Sequence, residues 1–369
     1  MSTIDVESVK DVLVLSPAGM GNSILATPLI AALRQGLPHA HLTVATGCQP
    51  ATDLLASDPA IDETITLAIF GSWSQKLGLL VALRRRRFDL CITTSPSNRP
   101  IYHIFGWLIK PRFHVIHQYV YHPLHSFAWL PAIKVEADPA LHDVQQNLRL
   151  LEPVGLAVNE VPPAKIWLND DELQEVDEWV EAQELPARDI LAVHPSTSTH
   201  TPYKTWGVGA LADMAAAANR IASELELAIV IIAGPGEQRT AKSVAAEIAQ
   251  STTIVEGWAI RRVAALLSRA RLLLNFDSGL GHVAAAVGTA TVTIFGMSDP
   301  VRTRPWNEQA RVVTPNLDCA PCYIYPHHNI GPEINCDNRV CLQGFSVEKV
   351  AQAAASQARQ GKLSHRTVS

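Results

Sequence analysis

The chain has 369 residues, 47% of them apolar and 18% charged, with a formal net charge of −5. Such a composition excludes wholesale disorder and is enough for more than one hydrophobic core. The acidic balance argues against general affinity for nucleic acid, and no apolar run reaches the about eighteen residues of a spanning helix. No basic stretch followed by a long apolar run opens the sequence, so no secretory signal is expected and the cytoplasm is the expected location.

Residues 12–15 (VLVL) read as a buried strand, followed by the turn Pro17-Ala18-Gly19-Met20-Gly21-Asn22 and a helix over 23–35. Residues 41–46 read as the next strand, 79–87 as part of a helix and 90–94 as another strand. Strand, turn and helix in alternation are the signature of a parallel sheet covered on both faces. Arg84-Arg85-Arg86-Arg87 is the strongest basic run. It reads as a solvated helix face, the alternative being attraction of an anionic acceptor or membrane phosphate. The run IYHIFGWLI at 101–109, followed by Lys110 and Arg112, reads as a core helix, with an amphipathic edge on a membrane surface as the alternative. From about 105 to 142 the pattern weakens. His114, His117, His122, His125 and His142 fall there without a standard metal-ligand spacing. That stretch reads as a loop with some of its histidines on the substrate.

A helix over 142–151 stops at Glu152-Pro153-Val154-Gly155, and Val161-Pro162-Pro163 marks a linker. After an acidic helix at 172–182 comes a second alternating series. It runs strand 190–193, polar loop 194–205, helix 208–224, strand 228–233, turn Gly234-Pro235-Gly236-Glu237 and helix 238–249. It continues with strand 253–255, helix 260–268, strand 272–276, a helix from Leu280 and strand 291–295. The expected architecture is α/β: two Rossmann-like domains, 1–163 and 164–345, facing a central cleft. The helix over 346–369 is a candidate to cross back to the first domain. Ligands of such sheets bind beyond the carboxyl ends of the strands.

The most informative junction is Asp277-Ser278-Gly279-Leu280-Gly281-His282, where strand becomes helix. Backbone N–H groups of Ser278, Gly279 and Leu280 at a helix start, with the positive end of its dipole, suit a phosphate. The plain alternative is an ordinary N-cap. Met20 and Gly21 would let a diphosphate approach the backbone, or simply make a tight turn. Glu237 reads as a ribose ligand or as a partner of its own helix dipole. Lys204 supplies a compact cation, and Ser196 and Thr197 supply hydroxyls for phosphate oxygens. A Rossmann dehydrogenase is disfavoured, because Asn22-Ser23-Ile24 after Gly19-Met20-Gly21 breaks the G-x-G-x-x-G form. Cys319, Cys322, Cys336 and Cys341 form two close pairs with metal-clip spacing, suited to a structural zinc or iron. Four reduced thiols are the alternative, His327 and His328 are further ligand candidates, and four cysteine ligands would leave no catalytic position open. Cys48 and Cys91 read as core.

Several of these pieces in this order resemble glycosyltransferase family 9, the ADP-heptose:lipopolysaccharide heptosyltransferase group. They are the first-loop motif GNSILATP at 21–28, QNLRLLE at 146–152, and His194-Pro195-Ser196-Thr197 with Lys204 and Trp206. Gly234 to Glu237, Asp277 to His282, Phe295-Gly296-Met297-Ser298-Asp299-Pro300 and Pro305-Trp306 follow. The resemblance implies the GT-B fold, an acceptor-binding first half, a donor-binding second half and inverting transfer from a nucleoside diphosphate sugar without a catalytic metal or cofactor. ADP-heptose is the implied donor. A hydroxyl of a glycan, of a lipid-linked acceptor such as lipopolysaccharide, or of a protein is the implied acceptor, with peripheral contact to the inner membrane surface. On that reading Lys204 and Asp277 serve catalysis, and the donor is held by Met20, Gly21, Ser196, Thr197, Lys204, Glu237, Asp277, Ser278, Gly279, Leu280 and His282. Arg99, His117 and His122 face the acceptor. Familiar members carry an Asp base where this chain has Asn22, and an amide cannot take up a proton at neutral pH. Asn22 is then a ligand of acceptor or diphosphate, and a histidine of 114–125 a candidate base. Asn22 also motivates a non-catalytic sugar-nucleotide-binding protein, and a sugar-nucleotide epimerase shares the architecture.

Overall fold

The computed structural model describes residues 4–67, 71–120, 127, 129–185, 189–197, 204–324, 326, 336 and 338–364. His122, His125, His327 and His328 lie outside the described residues. The chain divides into two compact units, Met1–Trp167 with Ile324–Glu333, and Leu168–Tyr323 with Ile334–Ser369.

In the first unit, β1 (Asp11–Ser16), β2 (His41–Thr46), β3 (Glu63–Thr66), β4 (Leu90–Thr93), β5 (Phe113–Gln118) and β6 (Ile133–Glu136) form one sheet in the order β3-β2-β1-β4-β5-β6. Every pairing is parallel. β1 is buried over Val12 to Ser16, as its unbroken apolar run requires in a sheet covered on both faces. The helices include α1 (Met20–Ile24), α2 (Thr27–Gly36), α3 (Gln49–Leu55), α4 (Trp73–Arg86), α5 (Pro100–Ile109) and α6 (Asp143–Arg149).

The second unit opens with α7 (Asp170–Ala182) and builds its sheet from β7 (Ile190–His194), β8 (Ala228–Ala233), β9 (Thr252–Glu256), β10 (Leu272–Phe276), β11 (Ala290–Ile294) and β12 (Ala310–Val313). Their order, β12-β11-β10-β7-β8-β9, repeats that of the first sheet. In both, the winding reverses between the first and fourth strand of the unit, at β1/β4 and β7/β10. Loops leaving the carboxyl ends there diverge to opposite faces and leave a crevice. α8 (Val208–Leu225), α9 (Gln238–Ala246), α10 (Ile260–Arg269), α11 (Gly279–Ala286), α12 (Pro300–Thr303) and α13 (Val347–Ser364) complete the unit.

Three features depart from the expectations. β5 and β6 lie in the stretch read as loop. The pattern is obscured because β5 is FHVIHQ, with His114 and His117 at buried strand positions. α5 is core and edge at once: His103, Gly106 and Ile109 are buried, while Ile101 and Trp107 face water. α13 packs on its own unit, with Val350, Ala351 and Ala354 in one core with Ala218, Ile221 and Val292. The i, i+1, i+4 spacing of those three residues makes the apolar stripe that fixes it there. The unit boundary falls after Trp167.

Candidate functional site

At the switch point of the second unit, side chains from adjacent strand ends meet. His194 closes β7, Glu237 follows the turn after β8, Asp277 and Ser278 follow β10, and Ser298 follows β11. His194 Nε2 is 3.0 Å from Glu237 Oε2, and His194 Nδ1 is 3.1 Å from Ser278 Oγ. Glu237 Oε2 also accepts from the Gly234 amide at 2.8 Å. Gly236, at φ +83°, provides the left-handed step of that turn. Burial opposes the charge on Glu237, but His194 and the Gly234 amide hold its carboxyl below the usual range.

Lys204 Nζ donates to Asp277 Oδ2 at 2.8 Å, and both side chains are largely buried. The ammonium also lies 4.7 Å from the centre of the Tyr323 ring. Trp206, two residues on, stacks on Phe276 with ring centres 4.2 Å apart, which anchors the loop that delivers Lys204. Burial again opposes ionisation of Asp277. The Lys204 charge, its hydrogen bond, a Ser298 hydroxyl and His282 outweigh it and depress the pKa. Asp277 is therefore an anion at neutral pH and cannot act as an acid; what it can do is aim Lys204.

Ser278 occupies the N-cap of α11 without capping it through its side chain. Its hydroxyl faces His194 instead, so the amides at the start of α11 are left for another acceptor. Gly281 has a packing reason: a Cβ there would stand 2.8 Å from Asn275 Nδ2. Thr197 Oγ1 is 3.4 Å from the Lys204 carbonyl, and Ser196 is buried at the end of β7.

The first unit has its own network at the corresponding place. The turn after β1 enters α1 at Met20, and Ser16 and Ser23 hydroxyls pin the two together at 3.0 Å. Gly47 packs beneath this turn, where a Cβ would stand 2.3 Å from the Pro17 carbonyl oxygen. Met20, Gly21 and Asn22 are partly exposed on its surface, and the Asn22 amide donates to the Gly19 carbonyl. Buried Asn147 clamps the switch-point loops: its Oδ1 accepts from the Ser95 amide at 2.8 Å and its Nδ2 donates to the Leu25 carbonyl at 3.2 Å. Buried Asp143 and Tyr119 both approach the Ser95 hydroxyl, at 3.4 Å. Arg99 is exposed at the N-cap of α5 and bonds the Tyr102 hydroxyl.

The described histidines of the 105–142 stretch, His114, His117 and His142, are buried inside the unit. His117 places Nε2 3.0 Å from the Gln146 carbonyl and Nδ1 3.3 Å from the Val135 carbonyl, bridging β6 and α6. Burial pushes its pKa down to about 4, so the ring is neutral and donates to one carbonyl only. His114 lies under Gly106, where a Cβ would meet its ring at 2.4 Å, and pairs with the Thr93 hydroxyl at 2.9 Å. His142 caps α6 by accepting from the Val144 amide.

Asp143 and Tyr119 were not singled out from the sequence, and Asn147 and Ser298 stand in quoted motifs without a role of their own. Asn147 lies in the QNLRLLE segment, which reads as a helix, and the hint to its clamping role is an amide on a helix face that packs inward. The four cysteines share one region, and the Cys341 thiol is pushed up to about 11, first by burial and then by Cys322, Cys336 and Cys319. Among the described residues, no group of three or more His, Cys, Asp or Glu side chains is gathered as a metal site.

A family model described as glycosyltransferase family 9 (heptosyltransferase) matches residues 105–329. Lipopolysaccharide heptosyltransferase 3 of Escherichia coli K12 is 26% identical over 314 residues, covering 78% of this chain and 83% of that protein. The crystal structure of a family 9 glycosyl transferase from Veillonella parvula superposes with a TM-score of 0.76 at 20% identity, over 97% of this chain and 99% of that one. Escherichia coli ADP-heptose lps heptosyltransferase II superposes with a TM-score of 0.69 at 16% identity, over 95% and 99%.

Proposed function

The chain belongs to glycosyltransferase family 9, and on that premise we propose that it moves a heptose from ADP-heptose to a hydroxyl of a lipopolysaccharide-type acceptor, with inversion. The observation that carries this reading is the Lys204–Asp277 pair at 2.8 Å beside the uncapped start of α11. The donor class is supported by relatives whose names specify ADP-heptose and lipopolysaccharide.

In the proposed reaction the acceptor oxygen attacks the anomeric carbon from the face opposite the diphosphate. The bond to the β-phosphate oxygen breaks, ADP leaves, and the acceptor proton passes to a base. Negative charge grows on the diphosphate, and groups already aimed at it lower that barrier most. Lys204 and the amides of Ser278, Gly279 and Leu280 fill that role, with Asp277 holding the lysine in place until phosphate arrives. Glu237, fixed by His194, presents a carboxylate for ribose hydroxyls, and Ser196, Thr197 and His282 border the same site. The first unit takes the acceptor, with Met20, Gly21, Asn22 and Arg99 on its loop surface. Asn22 orients acceptor or diphosphate and leaves the base to another group.

Cys319, Cys322, Cys336 and Cys341 supply the soft donor set that a structural zinc or iron favours. Metal there would staple the loop under Gly296, against which Cys341 and Leu342 pack, and would take no part in transfer. Elemental analysis of purified protein before and after Cys319→Ser with Cys322→Ser tests this, since equal metal content in both would remove the assignment. For the reaction, protein is incubated with ADP-heptose and a heptose-truncated lipopolysaccharide, and ADP release is followed with the product mass. Release that needs the acceptor and adds one heptose supports the reading; donor turnover or epimerisation without acceptor overturns it.

A further inference from the structure

The contacts of His194 fix where its hydrogens sit. Both ring nitrogens are engaged, Nε2 with Glu237 Oε2 at 3.0 Å and Nδ1 with Ser278 Oγ at 3.1 Å. The His194 side chain is 4% exposed and that of Glu237 13%, so the two meet out of bulk water. Glu237 sets the direction of both bonds. Burial opposes its ionisation, yet His194 and the Gly234 amide hold it below the usual range, so at neutral pH it only accepts. Nε2 therefore carries a hydrogen. A neutral imidazole has a single N–H, which leaves a lone pair on Nδ1. The Ser278 hydroxyl then donates its hydrogen inward to Nδ1, and Oγ turns only lone pairs outward.

That orientation is wrong for a diphosphate. Ser278 is the N-cap of α11, does not cap it through its side chain, and stands beside amides suited to phosphate. A lone pair facing a phosphate oxygen repels it, whereas a hydroxyl hydrogen attracts it. One added proton on Nδ1 reverses the array: Nδ1–H donates to Oγ, and the Ser278 hydrogen turns out to phosphate. Imidazole is the side chain that takes up a proton near neutral pH. Glu237 on one side and incoming phosphate on the other favour the cation. The other charged or titratable groups of the site are Lys204, already matched by Asp277 at 2.8 Å, and His282, whose charge also acts on Asp277. Across the sheet His194 pairs in register with Asn275, which is neutral. We propose that donor binding places a proton on His194, which makes it the positioning residue that turns the Ser278 hydroxyl onto the diphosphate. The proposal rests on the donor assignment made above. It adds a second cation, acting through Ser278, to the Lys204 charge as the diphosphate departs. A His194 that merely braces Glu237 needs no such proton.

Calorimetric titration with ADP-heptose tests it. Both phosphates of that donor are esterified, so neither has the second ionisation near pH 6 that a terminal phosphate brings. Titrations near pH 7.5 in phosphate and in Tris buffer, which differ in heat of ionisation, count the protons. Wild type takes up roughly half a proton or more per site. The complex holds more protons than the free protein, so affinity rises as pH falls, by about tenfold from about pH 8.5 to about pH 6.5. His194→Gln keeps a donor toward Glu237 but cannot take the proton, and its uptake falls to near zero. Ser278→Ala, at a half-buried position, binds as wild type does near pH 8.5 and gains less than about threefold near pH 6.5. Should His194→Gln lose binding altogether, the pH profile of Ser278→Ala decides. Binding by wild type without proton uptake overturns the proposal and leaves the donor assignment intact. So does uptake that persists in His194→Gln, which would move the proton to His282, or a Ser278→Ala profile that follows wild type. No binding of ADP-heptose at all overturns the donor assignment and this proposal together.

Discussion

The two units share one strand order and use their switch points in opposite ways. In the first, no cation takes part: Asn147 ties Ser95 and Leu25, Tyr119 and the Asp143 carboxyl meet the Ser95 hydroxyl, and His117 lies between two carbonyls. In the second, carboxylates carry the contacts: Asp277 pairs with the Lys204 ammonium, and Glu237 is hydrogen-bonded to His194. A network without a cation fixes the shape of a loop and offers an incoming anion little. A buried ammonium already neutralised by a carboxylate can exchange part of that interaction for phosphate, so the charged network is the one built for an anionic ligand.

The strongest way to break this contrast is Lys204→Ala. Removing a preorganised charge from a leaving diphosphate costs roughly a hundredfold in rate, and initial rates of ADP release should show it. A loss under about threefold would put the phosphate site elsewhere.

Acid separates the units next. His103, His114 and His117 are held down to about 4 by burial, from an ordinary 6.5. Their folded values lie below their unfolded ones, so between these pH values the unfolded chain binds more protons. Stability of the first unit is intact above about pH 6.5 and falls as pH drops toward about 4, with each group contributing on the order of 2–3 kcal/mol. Asp277 and Glu237 are depressed from 3.8 and 4.5. Their contribution to the second unit is present above those values and lost only as pH falls below them. Hydrogen exchange read by unit, at neutral pH and near pH 5, should show the first unit loosening first. Simultaneous loosening would contradict the histidine account.

Asn147→Ala sharpens the comparison from the side of the first unit. It leaves the Ser95 amide and the Leu25 carbonyl without their partner, at about 1–3 kcal/mol. Urea unfolding should report that loss while ADP affinity stays as in the parent. Glu237→Gln is the mildest change: shape is kept, the charge facing His194 goes, and about 1 kcal/mol is lost, visible as a small drop in melting temperature.

Much of the second unit can be read directly from sequence. Its central strands are mostly apolar, as in AIVIIA over Ala228–Ala233, and its turns carry Gly and Pro, while the edge strand β12 (ARVV) gives no such signal. The first unit hides three strands: β3 and β6 are short and half polar, ETIT and IKVE, and β5 buries His114 and His117, residues that look polar until their neighbours are known. Lys204, Glu237 and Asp277 stand out as individual residues through turn chemistry. Their pairing does not, since it joins positions 43 and 73 residues apart in the chain, and only the winding of the sheet brings those ends together.

The most direct measurement is calorimetric titration of ADP into wild type, Lys204→Ala and Arg99→Ala. The account predicts about a tenfold or greater loss of affinity for Lys204→Ala and an unchanged value for Arg99→Ala, which belongs to the first unit. Equal affinity in wild type and Lys204→Ala, or a loss confined to Arg99→Ala, would contradict it.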